Sequence, residues 1–301
     1  MKRYRVVLWL LVAAMIFCIA SGVFIMKAGA SPKITEIRTE EDLLKFLDRS
    51  TSPPHVHAVL AEDITLNTVF DPCDFVGTLD GCGHTVAIGN NRVERLFVSI
   101  SEDSTVRNLN IKGTFGCSDS SVASGICDCN FGSIENCCVL SNFCAASSAS
   151  GICGQNAGTI INCAVLGKGF PAGEEEFAWY PITSDNPGNT ENCFYRNDAE
   201  NLTGSEGGVG LEIAECTDGS LMSTLESFAR HKSGYASWKS GSDGLPLLQP
   251  EGAGATASVF SSSVETLWLL TTIVVMVLLM IYLIYYFDMR KNYLRKKEAE
   301  K

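Results

Sequence analysis

Histidine is scarce in this 301-residue sequence, which contains only four, and none of them stands in a His-Glu-x-x-His pattern. That pattern places two zinc-binding histidines on one face of a helix, so the chain lacks the signature of this class of metallopeptidase. His55 and His57 can share one face of a strand as ligands, but no third ligand is marked beside them. His84 belongs to the turn phrase Asp-Gly-Cys-Gly-His, where we expect a structural role. The sequence therefore indicates no metal site, no cofactor and no catalytic set.

Positive charge is also in short supply. The chain has 23 basic residues against 34 acidic ones, a formal net charge of −11. Residues 31–265 carry 13 basic and 31 acidic side chains, a formal charge of −18. A region this acidic repels other polyanions, which argues against nucleic acid as a partner.

Paired carboxylates, which glycoside hydrolysis requires, are few in the middle of the chain. Residues 124–169 hold only Asp128, Glu135 and Lys168 as charged side chains, so this stretch alone cannot form a catalytic cluster. The earlier part of the chain is richer in charge, and a site there is conceivable, although solvated corners are the favoured interpretation. Its charged residues are Asp63, Asp71, Asp74, Asp80, Arg92, Glu94 and Arg95.

No long helical period is visible between residues 55 and 200, where apolar and β-branched residues alternate with Gly and Asn. This pattern predicts many short strands with turns between them. Short helices are predicted on either side, at residues 40–49 and 220–232. Thr39 and Asp42 have the spacing of a capping pair at the start of the first helix.

A repeat occupies the centre of the chain. SGICDCNFGSIENCCVL begins at Ser124, and SGICGQNAGTIINCAVL begins at Ser150, which gives a period of 26 residues. Fainter copies lie at residues 105–111 and 189–195. A period between about 20 and 50 residues is typical of solenoid proteins. Because each unit reads as strands and corners, we predict an all-β protein, a parallel β-helix solenoid with one coil per repeat and short capping helices.

Stacked coils place equivalent residues above one another at about 4.8 Å. The asparagines are predicted to form a hydrogen-bonded ladder at one corner. The aligned cysteines occupy the position of Leu109, so we expect an inward-facing column of small apolar side chains. The repeated glycines are expected to supply positive φ or close backbone approach. These predicted ladder and column residues are Asn108, Asn136, Asn162, Asn192, Cys137, Cys163, Cys193, Gly125, Gly151, Gly132 and Gly158.

Alternatives remain open for the cysteines. Export permits disulfides, and Cys127 and Cys153 lie one coil apart, close enough for a bridge. A metal site that combines them with Cys129 is a weaker alternative. Cys137 and Cys138 are neighbours in a predicted strand and face opposite sides, so at least one of them is expected to be accessible.

The N-terminus begins with basic residues and continues into an uncharged apolar run at residues 6–26. The small residues Ala28-Gly29-Ala30 follow, a pattern suited to signal peptidase. Residues 1–30 are therefore predicted to be a signal peptide cleaved after Ala30, with an uncleaved signal anchor as the alternative. Residues 31–249 then form the outer β-helix domain.

The C-terminus contains the second uncharged run, Leu267–Phe287, whose length suits a helix across about 30 Å of hydrocarbon. We predict a linker at 250–265, a transmembrane helix at 266–287 and a basic cytoplasmic tail at 288–301. The expected location is the cell membrane, in a single pass, with the β-helix domain outside.

The repeat phrases resemble a known family. GTLDGCGHTV, VRNLNIKG and the pattern Gly-Ile-x-x-x-Asn-x-Gly-x-Ile-x-Asn-Cys are similar to GLUG-repeat bacterial surface proteins and to the β-helix region ahead of the protease domain in IgA-cleaving metallopeptidases. The resemblance covers residues 34–248 and departs from the family at Cys82, where an asparagine is usual. It implies a right-handed β-helix displayed on bacterial cells, and it implies no reaction.

Two functions remain in view. The first is a binding or structural module at the cell surface, with a glycan or a protein as its ligand. The second is a carbohydrate-active β-helix enzyme of the lyase or hydrolase type. The absence of a catalytic motif favours the first.

Overall fold

The computed structural model describes residues 34–48, 56–89, 92–116, 120–173, 176–198, 202–204 and 206–250 and, near the C-terminus, residues 282, 285–286 and 289–295. The chain divides into two compact units, residues 1–250 and 251–301. The strands and helices named below belong to the first unit.

Short strands make up most of this unit. In chain order they are β1 (Ile34–Ile37), β2 (Val56–Leu60), β3 (Ile64–Leu66), β4 (Cys73–Phe75), β5 (Gly77–Asp80), β6 (Thr85–Ile88), β7 (Phe97–Ile100), β8 (Thr105–Arg107), β9 (Asn110–Phe115), β10 (Val122–Ser124), β11 (Cys127–Asn130), β12 (Ser133–Glu135), β13 (Cys138–Val139), β14 (Asn142–Ala145), β15 (Ser148–Ser150), β16 (Cys153–Asn156), β17 (Thr159–Ile161), β18 (Ala164–Val165), β19 (Gly169–Pro171), β20 (Ala178–Tyr180), β21 (Thr183–Asp185), β22 (Asn189–Glu191), β23 (Phe194–Arg196), β24 (Val209–Leu211), β25 (Trp238–Ser240) and β26 (Pro246–Leu248). The helices are α1 (Glu40–Leu47), α2 (Ile213–Thr217) and α3 (Ser220–Ala229).

These strands stack into parallel sheets that run along the axis of a solenoid. A seven-stranded sheet has the order β1-β2-β5-β8-β12-β17-β22, a five-stranded sheet β21-β16-β11-β7-β4, and a three-stranded sheet β10-β15-β20. A nine-stranded sheet contains β19-β14-β9-β13-β18-β23-β24, with β3 and β6 joined through β9. Strands β25 and β26 form a separate antiparallel hairpin. The prediction of a mostly-β parallel solenoid is confirmed.

The 26-residue period holds for one coil and not for its neighbours. Within the seven-stranded sheet, Val106 pairs with Ile134, 28 residues later, and Ile134 with Ile160, 26 residues later. Ile160 then pairs with Thr190, which is 30 residues later. Extra residues enter at the corners, so the strands stay in register while the coils differ in length.

Apolar columns fill the interior, as the repeat alignment predicts. Val106, Ile134 and Ile160 are fully buried, and so are Ile111 and Val139 in the nine-stranded sheet. The pairing of each with its counterpart one coil away keeps like side chains in contact along the axis. This arrangement buries a continuous core although no single coil could bury its own inner face.

Aromatic rings occupy the wider parts of the interior. Phe115 and Phe143 stack with centroids 5.3 Å apart, and Trp179 lies 5.1 Å beyond Phe143. Trp179 is fully buried, so it belongs to the core. Its ring lies against Gly169, where a Cβ would come within 2.7 Å of the indole.

Helix α1 caps the first coils. The predicted capping pair is present, because Thr39 accepts a hydrogen bond from the backbone of Asp42 while the Asp42 carboxylate accepts one from the backbone of Thr39. Leu43 and Leu47 are buried, and the Phe46 ring meets Phe75 edge to face at 5.7 Å. The predicted helix at residues 40–49 thus ends at Leu47.

Residues 213–250, which we call the lateral cover, correct a second expectation. Residues 220–232 were predicted to be an end cap, but helix α3 ends at Ala229 and lies along the side of the solenoid. Asn110, Asn136 and Asn162, which belong to three successive coils, each bond to this segment. This segment lies along the side because apolar surface is available there. Cys138 and Ala164 face outward from the nine-stranded sheet and are buried only because the cover packs on them.

The second unit is described in part. Among its described residues, no helix is long and apolar enough to cross a bilayer. The predicted signal segment at 1–30 and linker at 250–265 lie outside the described residues, apart from Pro250, and so does most of the transmembrane segment at 266–287. Half of the predicted tail at 288–301, residues 289–295, is described.

Candidate functional site

The asparagine ladder, formed by Asn108, Asn136, Asn162 and Asn192, runs along one corner of the solenoid. Each side-chain amide donates to the side-chain oxygen of the asparagine one coil earlier, with N–O distances of 2.8 Å from Asn136 to Asn108 and 2.7 Å from Asn162 to Asn136. Asn192 donates to Asn162 in the same way. All four have a positive φ between 51° and 55°. Asparagine tolerates this left-handed conformation better than most residues, so one residue type makes the corner and the ladder.

The lateral cover completes the hydrogen bonding of the ladder. The Asn136 amide also donates to the Ala236 carbonyl at 2.9 Å, and its oxygen also accepts from the Trp238 indole N–H at 2.7 Å. Asn108 makes the equivalent pair of bonds with the Gly234 carbonyl and the Ala236 N–H. The side-chain amides of Asn136 and Asn108 each donate two hydrogen bonds and accept two, so their hydrogen-bonding capacity is filled.

The ladder ends on a carboxylate that sequence reasoning did not assign to it. Asp80 accepts from the Asn108 amide at 2.9 Å, and its other oxygen accepts from Arg107 Nε at 2.9 Å. Asp80 is 1% exposed. Its position in the phrase Thr-Leu-Asp, which aligns with Thr-Val-Arg at 105–107, is the signal that would have placed it beside the corner.

A second ladder joins Asn130, Asn156 and Asn186 at another corner, in the opposite hydrogen-bonding direction. Asn130 donates to Asn156 at 2.8 Å, and Asn156 donates to Asn186 at 2.7 Å. Ile100 occupies the equivalent position one coil earlier, so the ladder begins at Asn130. The repeat alignment pairs Asn130 with Asn156, but it does not show that their amides face inward.

The repeated glycines serve close backbone approach, which resolves the two roles left open for them. None of the four is in the left-handed region, which the asparagines occupy instead. A Cβ on Gly158 would lie 2.1 Å from the Gly132 carbonyl oxygen, and one on Gly125 would lie 2.1 Å from the Gly151 oxygen. Adjacent coils therefore touch through these glycines, and no side chain fits between them.

The cysteine column lies directly behind the asparagine ladder. Cys137, Cys163 and Cys193 are at most 2% exposed. Each thiol contacts the carbonyl two residues earlier in the chain, at 3.2, 3.3 and 3.4 Å respectively. Cysteine thus fills a small apolar space and also offers a weak donor to a corner carbonyl. No disulfide joins the described cysteines.

The expectation of one accessible thiol in the Cys137–Cys138 pair is wrong. Both side chains are fully buried, Cys137 by the core and Cys138 by the lateral cover. Cys138 Sγ lies 3.2 Å from the Pro246 carbonyl oxygen, and burial raises the pKa of this thiol well above its usual range.

The charged residues of the early coils form separate pairs on different faces. Asp80 bonds to Arg107 on the seven-stranded sheet, and Asp74 accepts from Ser99 on the five-stranded sheet. Arg95 bridges Glu94 and Asp128 in the loop before β7 and on β11. Asp63 lies 3.3 Å from His84. Glu94 and Asp128 thus share one guanidinium, while Asp63, Asp74 and Asp80 each bond to other partners.

The histidines of the described residues are also apart. His57 lies in β2, beside Thr78 of β5, while His84 stands in the turn before β6. His55 is outside the described residues. In the part of the chain that the structure describes, no three His, Cys, Asp or Glu side chains converge on a point where a metal ion could bind.

A groove of about 670 Å³ separates the β25–β26 hairpin from the outer face of the nine-stranded sheet. Its floor is a row of outward-facing residues, Lys112, Leu140, Leu166 and Arg196, each of which follows a residue paired in register with its neighbours. Three strand steps of about 4.8 Å put the ends of this row about 14 Å apart. Basic side chains stand at both ends, and leucines lie between them.

The hairpin forms the opposite wall. It contributes Lys239, Asp243, Leu245 and Leu247, together with serines at its turn. The turn is closed by a hydrogen bond from the Gly241 N–H to the Leu245 carbonyl at 2.8 Å. Because the Cys138 thiol contacts the Pro246 carbonyl, the hairpin is held against the sheet. We call this feature the cationic groove.

Electrostatics at the far end of the groove are set by one carboxylate. Asp198 binds the Arg196 guanidinium through both of its oxygens and also lies 3.3 Å from Lys168 Nζ. Arg196, with help from Lys168, lowers the pKa of Asp198. Asp198 in turn raises the pKa of Arg196. An aspartate held ionised in this way is a poor general acid.

Sequence reasoning did not find this groove. The floor of the groove could have been predicted from the repeat. Lys112, Leu140 and Leu166 each follow an interior position, and side chains alternate along a strand, so these three point outward. The wall of the groove could not have been predicted, because the hairpin lies about a hundred residues later in the chain. Its composition does not indicate which face of the solenoid it packs against.

The sequence matches no known protein family and no curated protein. Among solved structures, the solenoid is similar to the crystal structure of a putative immunoglobulin A1 protease from Bacteroides ovatus, at 14% identity and a TM-score of 0.40. The match covers 74% of this chain and 94% of that chain. A similarity of this degree says nothing about the activity of the present chain.

Proposed function

We propose that this protein is a membrane-tethered surface protein whose β-solenoid binds another macromolecule, in adhesion or in contact with a surface. Tethering rests on the apolar run Leu267–Phe287 and its basic flank. Display on a bacterial cell rests on the resemblance of the repeat phrases to GLUG-repeat proteins. The observation that supports binding is the cationic groove, which combines a rigid floor with uncommitted charge.

The described charges support binding over catalysis. Asp243 lines the groove, and its Oδ1 accepts from the Leu245 N–H. Asp198 lies beside the groove and is held ionised by Arg196 and Lys168. General acid–base chemistry needs a group whose pKa lies near the working pH. With its pKa lowered, Asp198 stays ionised and does not serve as a general acid.

An array of glycans and surface proteins probed with the full-length chain tests the proposal. We expect saturable binding without any change in the bound molecule. Turnover of an acidic polysaccharide, followed by product release in solution, would overturn it in favour of the carbohydrate-active enzyme. Tethering is tested separately by carbonate extraction of membranes, in which the chain should stay with the lipid.

A further inference from the structure

The cationic groove has a mixed lining that selects among anionic ligands. Leu140 and Leu166 on its floor face Leu245 and Leu247 on its wall, and Lys112 and Arg196 stand at the ends of the floor. Leu166 is 2% exposed, while Leu140, Leu245 and Leu247 are half-buried and face the groove. A ligand must therefore supply apolar surface in the middle as well as negative charge at the ends.

Two of the cations that line the groove stand outside the ion pairs of the described residues. Lys112 and Lys239 are exposed, and neither has an ion-pair partner within the part of the chain that the structure describes. Across residues 31–265, acidic side chains outnumber basic ones by 31 to 13, yet the groove is lined by Lys112, Lys239 and Arg196 against Asp243, with Asp198 paired to Arg196 beside it. The lining of the groove therefore carries a net positive charge, whereas residues 31–265 as a whole carry a net negative charge.

The apolar part of the lining separates two classes of acidic polymer. Acidic polysaccharides carry carboxylates, but hydroxyl groups edge their sugar rings, and these would meet leucine side chains with no hydrogen-bonding partner. None of the described residues that line the groove is aromatic. In an extended peptide, successive side chains point to opposite faces, and side chains on one face recur about every 6.8 Å. Carboxylates and apolar side chains can therefore contact the wall and the floor of the groove at the same time.

We propose that the cationic groove binds an extended acidic peptide segment of a partner protein, with its carboxylates at Lys112 and Lys239 and its apolar side chains on the leucines. This inference rests on the proposed binding function and names the ligand class. The row of about 14 Å accommodates roughly five extended residues. Binding of this kind anchors side chains in pockets along a groove while charge sets the choice of partner.

Fluorescence anisotropy with labelled peptides tests the proposal on the full-length chain in one mild non-ionic detergent throughout. The probe is Asp-Leu-Asp-Leu-Asp-Leu, compared with its Lys-Leu counterpart, with an Asp-Ser peptide of equal charge and with a uronic-acid hexamer as competitor. We expect the Asp-Leu peptide to bind saturably, the Asp-Ser peptide to bind at least about 10-fold more weakly, and the Lys-Leu peptide not to bind.

Variants locate the site. Lys112→Gln combined with Lys239→Gln is expected to weaken the Asp-Leu peptide about 5-fold, since each exposed pair contributes modestly. Lys45→Gln, an exposed lysine on α1, is the matched control and should leave the affinity unchanged. Both substitutions are at exposed positions, and equal urea midpoints would show that the fold is retained.

Three results would overturn the inference: an unchanged affinity in the double variant, equal binding of the Lys-Leu peptide, or no binding of any acidic peptide. If the uronic-acid hexamer alone binds, and the double variant weakens it, the ligand class is wrong while the binding function stands. If array ligands bind and ignore the double variant, the groove is wrong and the binding function again stands.

Discussion

Asn136→Ala is the substitution that probes the asparagine ladder most directly. Asn136 is fully buried, and its side chain takes part in four hydrogen bonds, two along the ladder and two with the lateral cover. Alanine removes all four. The Trp238 indole N–H and the Ala236 carbonyl lose this partner inside the protein. The substitution therefore weakens the stacking of coils and the attachment of the cover together.

The expected cost follows from the groups that are left behind. A buried polar group without a partner costs about 1–3 kcal/mol, and the indole and the carbonyl count once each. A left-handed backbone, with φ at 51° here, adds about 1 kcal/mol for alanine. The sum is about 3–7 kcal/mol, a large fraction of the roughly 5–15 kcal/mol that stabilises an ordinary domain.

Urea unfolding of the full-length chain, followed by far-ultraviolet circular dichroism, measures this cost. Asn136→Gly removes the same hydrogen bonds but accepts the left-handed backbone, so it should be about 1 kcal/mol less destabilising than Asn136→Ala. Asn192→Ala, at the half-exposed end of the ladder, removes one bond to the buried Asn162 oxygen and carries the same left-handed cost, so it should cost about 2–4 kcal/mol. A loss below about 1 kcal/mol for Asn136→Ala, or one smaller than that of Asn192→Ala, would refute the reasoning.

Three further outcomes are expected. Gly158→Ala should lower the free energy of unfolding by about 1–3 kcal/mol in the same urea assay, because a Cβ would lie 2.1 Å from the Gly132 oxygen and the coils must separate. Cys138 is buried under the lateral cover and should resist maleimide in the folded protein, whereas the half-buried Cys129 should react before it. Mass spectrometry of peptides measures the order of labelling. Labelling of Cys138 before Cys129 would contradict the packing of the cover. Burial, with a nearby carboxylate, raises the pKa of Tyr235 above its usual value of about 10. Its contribution to stability is therefore complete below about pH 10 and is lost as the pH rises further, so tyrosinate absorbance from this residue should appear only with alkaline unfolding.

Most of the solenoid was predictable because its information is local and periodic. Stacked coils bring equivalent residues into contact, so the repeat alone identifies the columns of Val106 and Ile134 and the ladder of Asn108 and Asn136. Helix α1 was predictable for a similar reason, since Thr39 caps its own first turn.

The glycines show where this kind of reasoning became ambiguous. A left-handed backbone and a close approach between two backbones both favour glycine at a repeated position. The sequence alone does not distinguish the two requirements. Only the coordinates show that the left-handed corner belongs to asparagine and that Gly132 and Gly158 are points of contact between coils. The carboxylate that ends the ladder, Asp80, was missed because the first copy of the phrase departs from the others.

The sequence by itself therefore determined the mostly-β solenoid, its inward columns and the asparagine corner, because a repeat that stacks on itself needs no information beyond its own period. Tertiary structure alone decided the position of residues 213–250. That segment has no repeat to follow, and it lies where Cys138 and Ala164 leave apolar surface on the side of the coils. Its hairpin closes the cationic groove, so the candidate binding site arises from contacts between residues about a hundred positions apart.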